Sequence, residues 1–331
     1  MEEGFVSLGI ESTAHTFGVG VVRSDGKILA NEYSVYRPVK GGIHPREAAQ
    51  HHSMVASKVL ASALEKSSLS PRSIDVVAFS IGPGMGPCLR TGATVARALA
   101  LKLGVPLVGV NHGVAHIEIG KLLTGARDPL VLYVAGGNTM ITTYLEGRYR
   151  ILGETLDIAA GNCLDSFGIT AGIGPMPAPE IHAKAGKVIH PLPLRVKGME
   201  VSFSGLLTAA ESMLSSGVPL PDVCLSITES VYSMLTEVLE RALAMTKKEE
   251  VLIVGGLAKS RRLREMIELM VRPHNAKLLE ISDEYLGDNG AMIAWTGALM
   301  HAHGMHISID ESRVRPKYRI NEVEIPWGSP V

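Results

Sequence analysis

Twice along the chain, about 125 residues apart, a meander of short strands broken by glycine turns gives way to alternating helices and strands. FVSLGIE (5–11), FGVGVVR (17–23) and KILANEYSVY (27–36) read as strands, the first two separated by STAHT. Residues 44–67 carry apolar side chains at helical spacing. Residues 74–84 form a buried-type strand that runs into a Gly/Pro turn, followed by a helix over 91–104 and a strand over 105–110. Residues 128–155 then repeat strand, turn, strand, turn, strand. Helices are predicted at 205–216, 223–247, 259–271 and 289–304, with strands at 251–256 and 276–282. The repetition is one of element order, since no close residue-level repeat accompanies it. Such a chain is expected to make two similar α/β halves around a cleft, a usual place for a ligand.

At 331 residues the chain is long for one core and comfortable for two domains. A net charge of −1 excludes a dedicated basic nucleic-acid binder, leaving local stretches such as KSRRLR (259–264) and RVRPKYR (313–319), or a partner, for such contacts. Cys88, Cys163 and Cys224 are scattered without a C-x-x-C, which suits a reducing, cytoplasmic setting. The acidic start MEEG lacks the basic region of a signal peptide, and no apolar run reaches the ~18 residues of a membrane helix.

Three glycine turns follow buried strands: GPGMGP (82–87), YVAGGNT (133–139) and GGLAKS (255–260). Each serves equally as an ordinary turn, or as a loop whose main-chain N–H groups approach an anion without a Cβ in the way. None has the G-K-[ST] of a Walker loop, and GPGMGP does not fit the dinucleotide fingerprint. Together they favour a nucleotide in the cleft. In VNHGVAHIE, a helix starting near Asn111 puts His112 and His116 one turn apart on the same face, as a metal pair or as two polar residues of that face. Gly113 stands where an H-E-x-x-H protease carries its general base, which undermines a protease reading. Asp288 in GDNGAMIAW is the candidate oxygen ligand, and reads equally as a helix N-cap. Glu11 is open between turn chemistry and a catalytic carboxylate.

GIESTAHTFGVGVV, GGIHPREAAQHH, FSIGPGMGPCLR, VGVNHGVAHIE, LYVAGGNT, GETLDIAAGNCLD, KGMEVSFSGLLTAA and SDEYLGDNGAMIAWTG resemble, in order and over nearly the whole chain, the universal tRNA threonylcarbamoyladenosine synthesis family. The resemblance is nearest to the archaeal and eukaryotic branch, the catalytic subunit of the KEOPS complex, formerly labelled an O-sialoglycoprotein endopeptidase. It implies an actin/Hsp70/sugar-kinase-like (ASKHA) α/β fold of two related domains, here 1–127 and 128–322, with 323–331 as a linker-like tail. It also implies transfer of threonylcarbamoyl from threonylcarbamoyl-AMP to N6 of adenosine 37 in tRNAs reading codons that begin with A.

Carried over by position, the family's metal, iron or zinc, corresponds to His112, His116 and Asp288, with Tyr133 as a further contact; Asp288 is then a second-half partner of a first-half pair. The substrate turn corresponds to Tyr133, Val134, Ala135, Gly136 and Gly137. Asp165 and Glu180 match carboxylates on the ribose and base side of the adenylate, and Ser260 stands in the adenosine-side turn. Three departures touch these contacts: Ala135 replaces a usual Ser, GPMPAPE (174–180) replaces a P-G-G-P segment, and Ser260 replaces an Asn. No residue is an obvious general base.

The partners implied are tRNA and KEOPS subunits, among them a small dimerising subunit and a small protein-kinase-like ATPase that follows as a fusion in some archaea. The chain has no H-R-D or D-F-G motif of its own. The helix at 44–67 is the candidate docking surface for a partner. The competing expectations are a small-molecule kinase or ATPase on the same fold, and a non-catalytic scaffold paralogue.

Overall fold

The computed structural model describes residues 4–38 and 41–328. The first half folds as β1 (Val6–Glu11), β2 (Thr16–Arg23), β3 (Ile28–Val35), α1 (Pro45–Ser67), β4 (Val76–Gly82), α2 (Gly86–Leu103), β5 (Leu107–Asn111) and α3 (His112–Thr124). The second continues with β6 (Leu130–Val134), β7 (Thr139–Leu145), β8 (Arg148–Glu154), α4 (Ala160–Thr170), α5 (Ala178–Ala183), β9 (Val196–Lys197), β10 (Glu200–Val201), α6 (Ser204–Ser215), α7 (Leu220–Thr246), β11 (Glu250–Val254), α8 (Arg261–Val271), β12 (Lys277–Leu279), α9 (Asp283–Leu286) and α10 (Gly290–Ala302).

The chain divides into two compact units. The first takes everything through Gly125, then Glu146–Tyr149, and the chain from Asp288 on; the second takes Ala126–Leu145 and Arg150–Gly287. The sheet of the first unit has the order β3-β2-β1-β4-β5, antiparallel across β3-β2-β1 and parallel across β1-β4-β5. The sheet of the second has the order β12-β11-β6-β7-β8, parallel across β12-β11-β6 and antiparallel at β6-β7. These are the same layout, a meander extended by two crossover strands, so the doubled element order does translate into two related sheets.

Both faces of the first sheet are covered. Leu8, Ile10, Val19 and Val21 pack with Ala56, Val59, Ala63, Ala93, Ala96 and Ala100 of α1 and α2. The alternate positions of β1 and β2 include the paired Gly9 and Gly20, and α10 lies against them. A Cβ on Gly9 would stand 2.1 Å from Ala294 N, and one on Gly20 2.2 Å from Ala291 N. Only glycine admits a helix backbone at that distance from a sheet. In the second unit α7 supplies the long buried stripe, from Val223 through Leu243.

Several expectations shift. The boundary at 322 does not hold, because α10 packs on β1 and β2 and returns the chain from Asp288 onward to the first unit. Residues 323–328 are no linker: Val323 and Ile325 are buried, and Ile325 N–H donates to Gly147 O at 2.8 Å. Residues 329–331 of the expected tail lie outside the described residues. Helix α2 begins at Gly86 rather than 91, with Pro87 in its first turn, where the missing N–H costs nothing. Helices α4 and α5 occupy a stretch for which the pattern predicted no element.

All three cysteines are free and buried, and burial raises their thiols, to about 11 for Cys88 and Cys224 and about 12 for Cys163. Among the described residues no helix is long and apolar enough to cross a membrane.

Candidate metal centre and substrate turn

Helix α3 starts where the sequence places it. The Asn111 side chain caps it, accepting from Gly113 N at 3.0 Å and Val114 N at 3.2 Å. His112 and His116 therefore project from one face, their rings 4.7 Å apart and nearly perpendicular at 89°. Asp288 completes the group: its Oδ1 lies 3.4 Å from His112 Nε2 and 3.3 Å from His116 Nε2. The three ligand atoms fall within 4.8 Å of one another, so this group can hold a metal ion. Two buried imidazoles and one half-buried carboxylate converge here, a donor set suited to a divalent transition metal.

Asp288 is not the helix cap. Asn289 is, its side chain accepting from Met292 N at 2.9 Å. Sparing Asp288 that role leaves its carboxylate for the histidines. Asp288 also lies in the same compact unit as His112 and His116, so the ligand set does not link the two units as the sequence suggested.

Behind the ligands sits Glu11, fully buried at the end of β1. Its Oε2 accepts from His112 Nδ1–H at 2.9 Å, which turns Nε2 towards Asp288. Its Oε1 accepts from Thr13 N at 2.6 Å and from the Thr13 hydroxyl at 2.5 Å. Glu11 thus serves both the turn and the site, although the sequence offered these as alternatives.

Charge follows from this packing. Burial disfavours the charged His112 ring, but Glu11 and Asp288 outweigh it and raise the ring to about 10. Burial lowers His116, which stays neutral, as a metal ligand must. Burial alone would raise the Asp288 carboxyl, yet the two histidines hold it well below the usual carboxylate range. The protonated His112 ring is the cation between Glu11 and Asp288, and holding a metal on Nε2 would require that nitrogen to give up its proton.

The predicted substrate residues fall in the second unit. Tyr133 and Val134 are buried at the end of β6, and Ala135, Gly136 and Gly137 form the tight turn to β7, with Ala135 N–H donating to Asn138 O at 2.8 Å. The turn is held from two sides. Asn162 N–H, at the start of α4, donates to Gly136 O at 3.1 Å. The GGLAKS loop approaches so closely that a Cβ on Gly255 would stand 2.3 Å from Val134 O. Two of the three sequence-level glycine turns therefore meet.

Glu180 and Ser260 gather around a residue the sequence reading missed, Tyr232 of α7. The Tyr232 hydroxyl donates to Glu180 Oε2 at 3.0 Å, and Ser260 hydrogen-bonds the same phenol. Burial, reinforced by the Glu180 charge, pushes that phenol far above its usual range, so it remains a donor. Ser260 also caps α8, accepting from Leu263 N at 3.1 Å. Asp165 Oδ1 accepts from Met176 N at 2.8 Å and so shapes the loop that leads to Glu180. A tyrosine within an apolar helical stripe carries no signal that separates it from core packing, which is why Tyr232 escaped notice.

A family profile described as tRNA N6-adenosine threonylcarbamoyltransferase matches residues 27–295. A protein of that name from Thermofilum pendens is 56% identical over 325 residues, covering 97% of each chain. A "Probable bifunctional tRNA threonylcarbamoyladenosine biosynthesis protein" from Methanocaldococcus jannaschii is 51% identical over 324 residues, spanning 97% of this chain and 60% of that one. Among solved structures, HypF from T. kodakarensis superimposes with a TM-score of 0.64 over 94% of this chain and 49% of its own. At 15% identity that likeness bears on the fold alone, which is of the ASKHA type. The chain belongs to the tRNA N6-adenosine threonylcarbamoyltransferase family.

Proposed function

We propose that the chain transfers the threonylcarbamoyl group of threonylcarbamoyl-AMP to N6 of adenosine 37 in tRNAs reading codons that begin with A, as the catalytic subunit of a KEOPS-type complex in the cytoplasm. The observation that carries this reading is the convergence of His112, His116 and Asp288, backed by Glu11, in a member of this transferase family. Those three side chains would hold a divalent iron or zinc ion; Tyr133 is included as a further ligand on resemblance alone. Held there, such an ion would supply Lewis acidity and positive charge to the transfer.

The remaining work belongs to the chain itself. The 135–137 turn offers main-chain N–H groups to the anionic end of the adenylate, without the hydroxyl that a Ser at position 135 would add. Glu180, held by Tyr232 together with Ser260, and Asp165 bind the adenosine side. The N6 amine is a weak nucleophile, so holding it against the carbonyl contributes more than a strong base would. The M. jannaschii relative, longer than this chain, supports association with a further module, for which the kinase-like ATPase is the candidate.

The decisive assay combines the chain with partner subunits, threonylcarbamoyl-AMP and tRNA, with and without chelator, and quantifies modified adenosine. Chelator-sensitive formation of the modified base is expected. Its absence with every component present would refute the assignment.

A further inference from the structure

The RVRPKYR stretch forms more than a solvated face. Arg315, Pro316, Lys317, Tyr318 and Glu322 line an open groove of about 420 Å³, within the ~300–1,000 Å³ range of ordinary ligand clefts. The Arg315 guanidinium carbon lies over the Tyr318 ring, 3.5 Å from its centroid, with Glu322 Oε2 accepting from Nη2 at 2.6 Å. Arg313, Lys317 and Arg319 are exposed along the same stretch. Arg90 joins them from α2, since a Cβ on Gly86 would find its Nη1 at 3.3 Å and Pro316 Cγ at 3.9 Å. Glu322 pairs with Arg315, so the cations left to meet a phosphate at this surface include Arg313, Lys317 and Arg90.

Its backbone is fixed to the elements that build the metal centre. Arg315 N–H donates to Ile81 O at 2.7 Å, and Gly84 N–H donates to Pro316 O at 3.2 Å. Met85 N–H, next in the same turn, donates to Thr13 O at 2.8 Å, and Thr13 is the residue that clasps Glu11. The Asn111 side-chain amide donates to Tyr318 O at 3.1 Å, and Asn111 immediately precedes His112. The groove and the ligand set are thus joined by hydrogen bonds inside the first unit.

A guanidinium–phenol stack bordered by cations suits a nucleic-acid strand whose bases are splayed out. Unpaired bases stack on aromatic and arginine planes, while lysine and arginine meet the phosphates. A base-paired stem hides its faces from such a platform. We infer that the Arg315–Tyr318 groove docks the single-stranded anticodon loop of the RNA substrate, the stacked pair receiving an unpaired base and Lys317 a phosphate. This rests on the tRNA-modifying function proposed above and names the surface that presents the RNA to the metal centre.

The test measures binding of an anticodon stem-loop RNA carrying adenosine at position 37 to the complex of this chain with its partners, over a series of salt concentrations. A blunt RNA duplex serves as control. Tyr318→Leu is expected to weaken stem-loop binding about tenfold. Lys317→Glu, at an exposed position that leaves the fold alone, is expected to weaken binding and flatten its salt dependence by about one charge. Wild-type affinity in Lys317→Glu and Tyr318→Leu, or equal affinity of the wild type for stem-loop and duplex, would overturn the assignment. Threonylcarbamoyl transfer is read in parallel on the wild type. If no transfer occurs, the proposed function fails while the binding series still judges the groove; if transfer proceeds and both variants bind normally, the groove alone fails.

Discussion

Glu11 Oε2 lies 2.9 Å from His112 Nδ1, joining the end of the first strand to the first turn of α3 across 101 residues of chain. The carboxylate anchors Nδ1, and the opposite nitrogen, Nε2, faces Asp288 Oδ1 at 3.4 Å. Orienting a ligand histidine through a buried carboxylate also makes the ring more basic towards a metal.

Glu11→Gln keeps an acceptor near Thr13 and His112 but removes the charge. Metal affinity should fall by about 10–100-fold, the usual effect of losing such a partner, with the fold retained. Chelator competition against the purified variant checks this, and an unchanged affinity would exclude an orienting role for Glu11.

Removing a ligand outright goes further. His112→Ala or Asp288→Ala should abolish both metal content and transferase activity while leaving the circular-dichroism spectrum unchanged. Full activity in a metal-free His112→Ala protein would sink the metal assignment.

Position 290 tests the packing beneath the site. A Cβ on Gly290 would stand 2.1 Å from Gly20 N, backbone against backbone, with no flexible side chain to yield. Gly290→Ala should destabilise the protein by about 3 kcal/mol or more, the upper range for overpacking. It should also reduce metal occupancy, because Asp288 lies just before the displaced helix. Calorimetric melting with metal analysis reads both, and wild-type values for either would contradict this account of the α10–sheet contact.

Tyr232→Phe removes the hydroxyl held by Glu180 and Ser260. Loss of one buried hydrogen bond should reduce stability by about 1 kcal/mol. If Glu180 grips the adenosine side, KM for threonylcarbamoyl-AMP should rise more than kcat falls. An unaltered KM would detach the Glu180 cluster from substrate binding.

His52 gives the chain a pH dependence of its own. It is fully buried, and burial lowers its ring to about 4, although its hydrogen bond with Ala14 O at 3.0 Å opposes the shift. In the unfolded chain the ring titrates near 6.5, so between about 6.5 and 4 the unfolded state binds the extra proton. Stability from this group is therefore full above about pH 6.5 and is lost as pH falls towards 4. Denaturant melts of wild type and His52→Gln across that window should show a shallower acid slope in the variant; parallel slopes would remove His52 from the acid response.

Features that depend on local spacing were legible along the chain. Alternating and helical periodicity located most strands and helices, and the repeated element order anticipated two sheets of the same strand layout. The i, i+4 spacing of His112 and His116 put both rings on one face, because 3.6 residues per turn does so wherever the helix forms. Tertiary structure decided which carboxylates those rings would meet. Glu11 and Asp288 are 277 positions apart, and nothing in their neighbourhoods separates a ligand from a cap or a turn residue. What separates them is the closeness of α10 to β1 and β2, permitted by Gly9, Gly20 and Gly290, which carries Asp288 back to the first unit and leaves Asn289 to cap the helix. Such a contact depends on the absence of side chains at three distant positions, and becomes visible only when the backbones they belong to lie against one another.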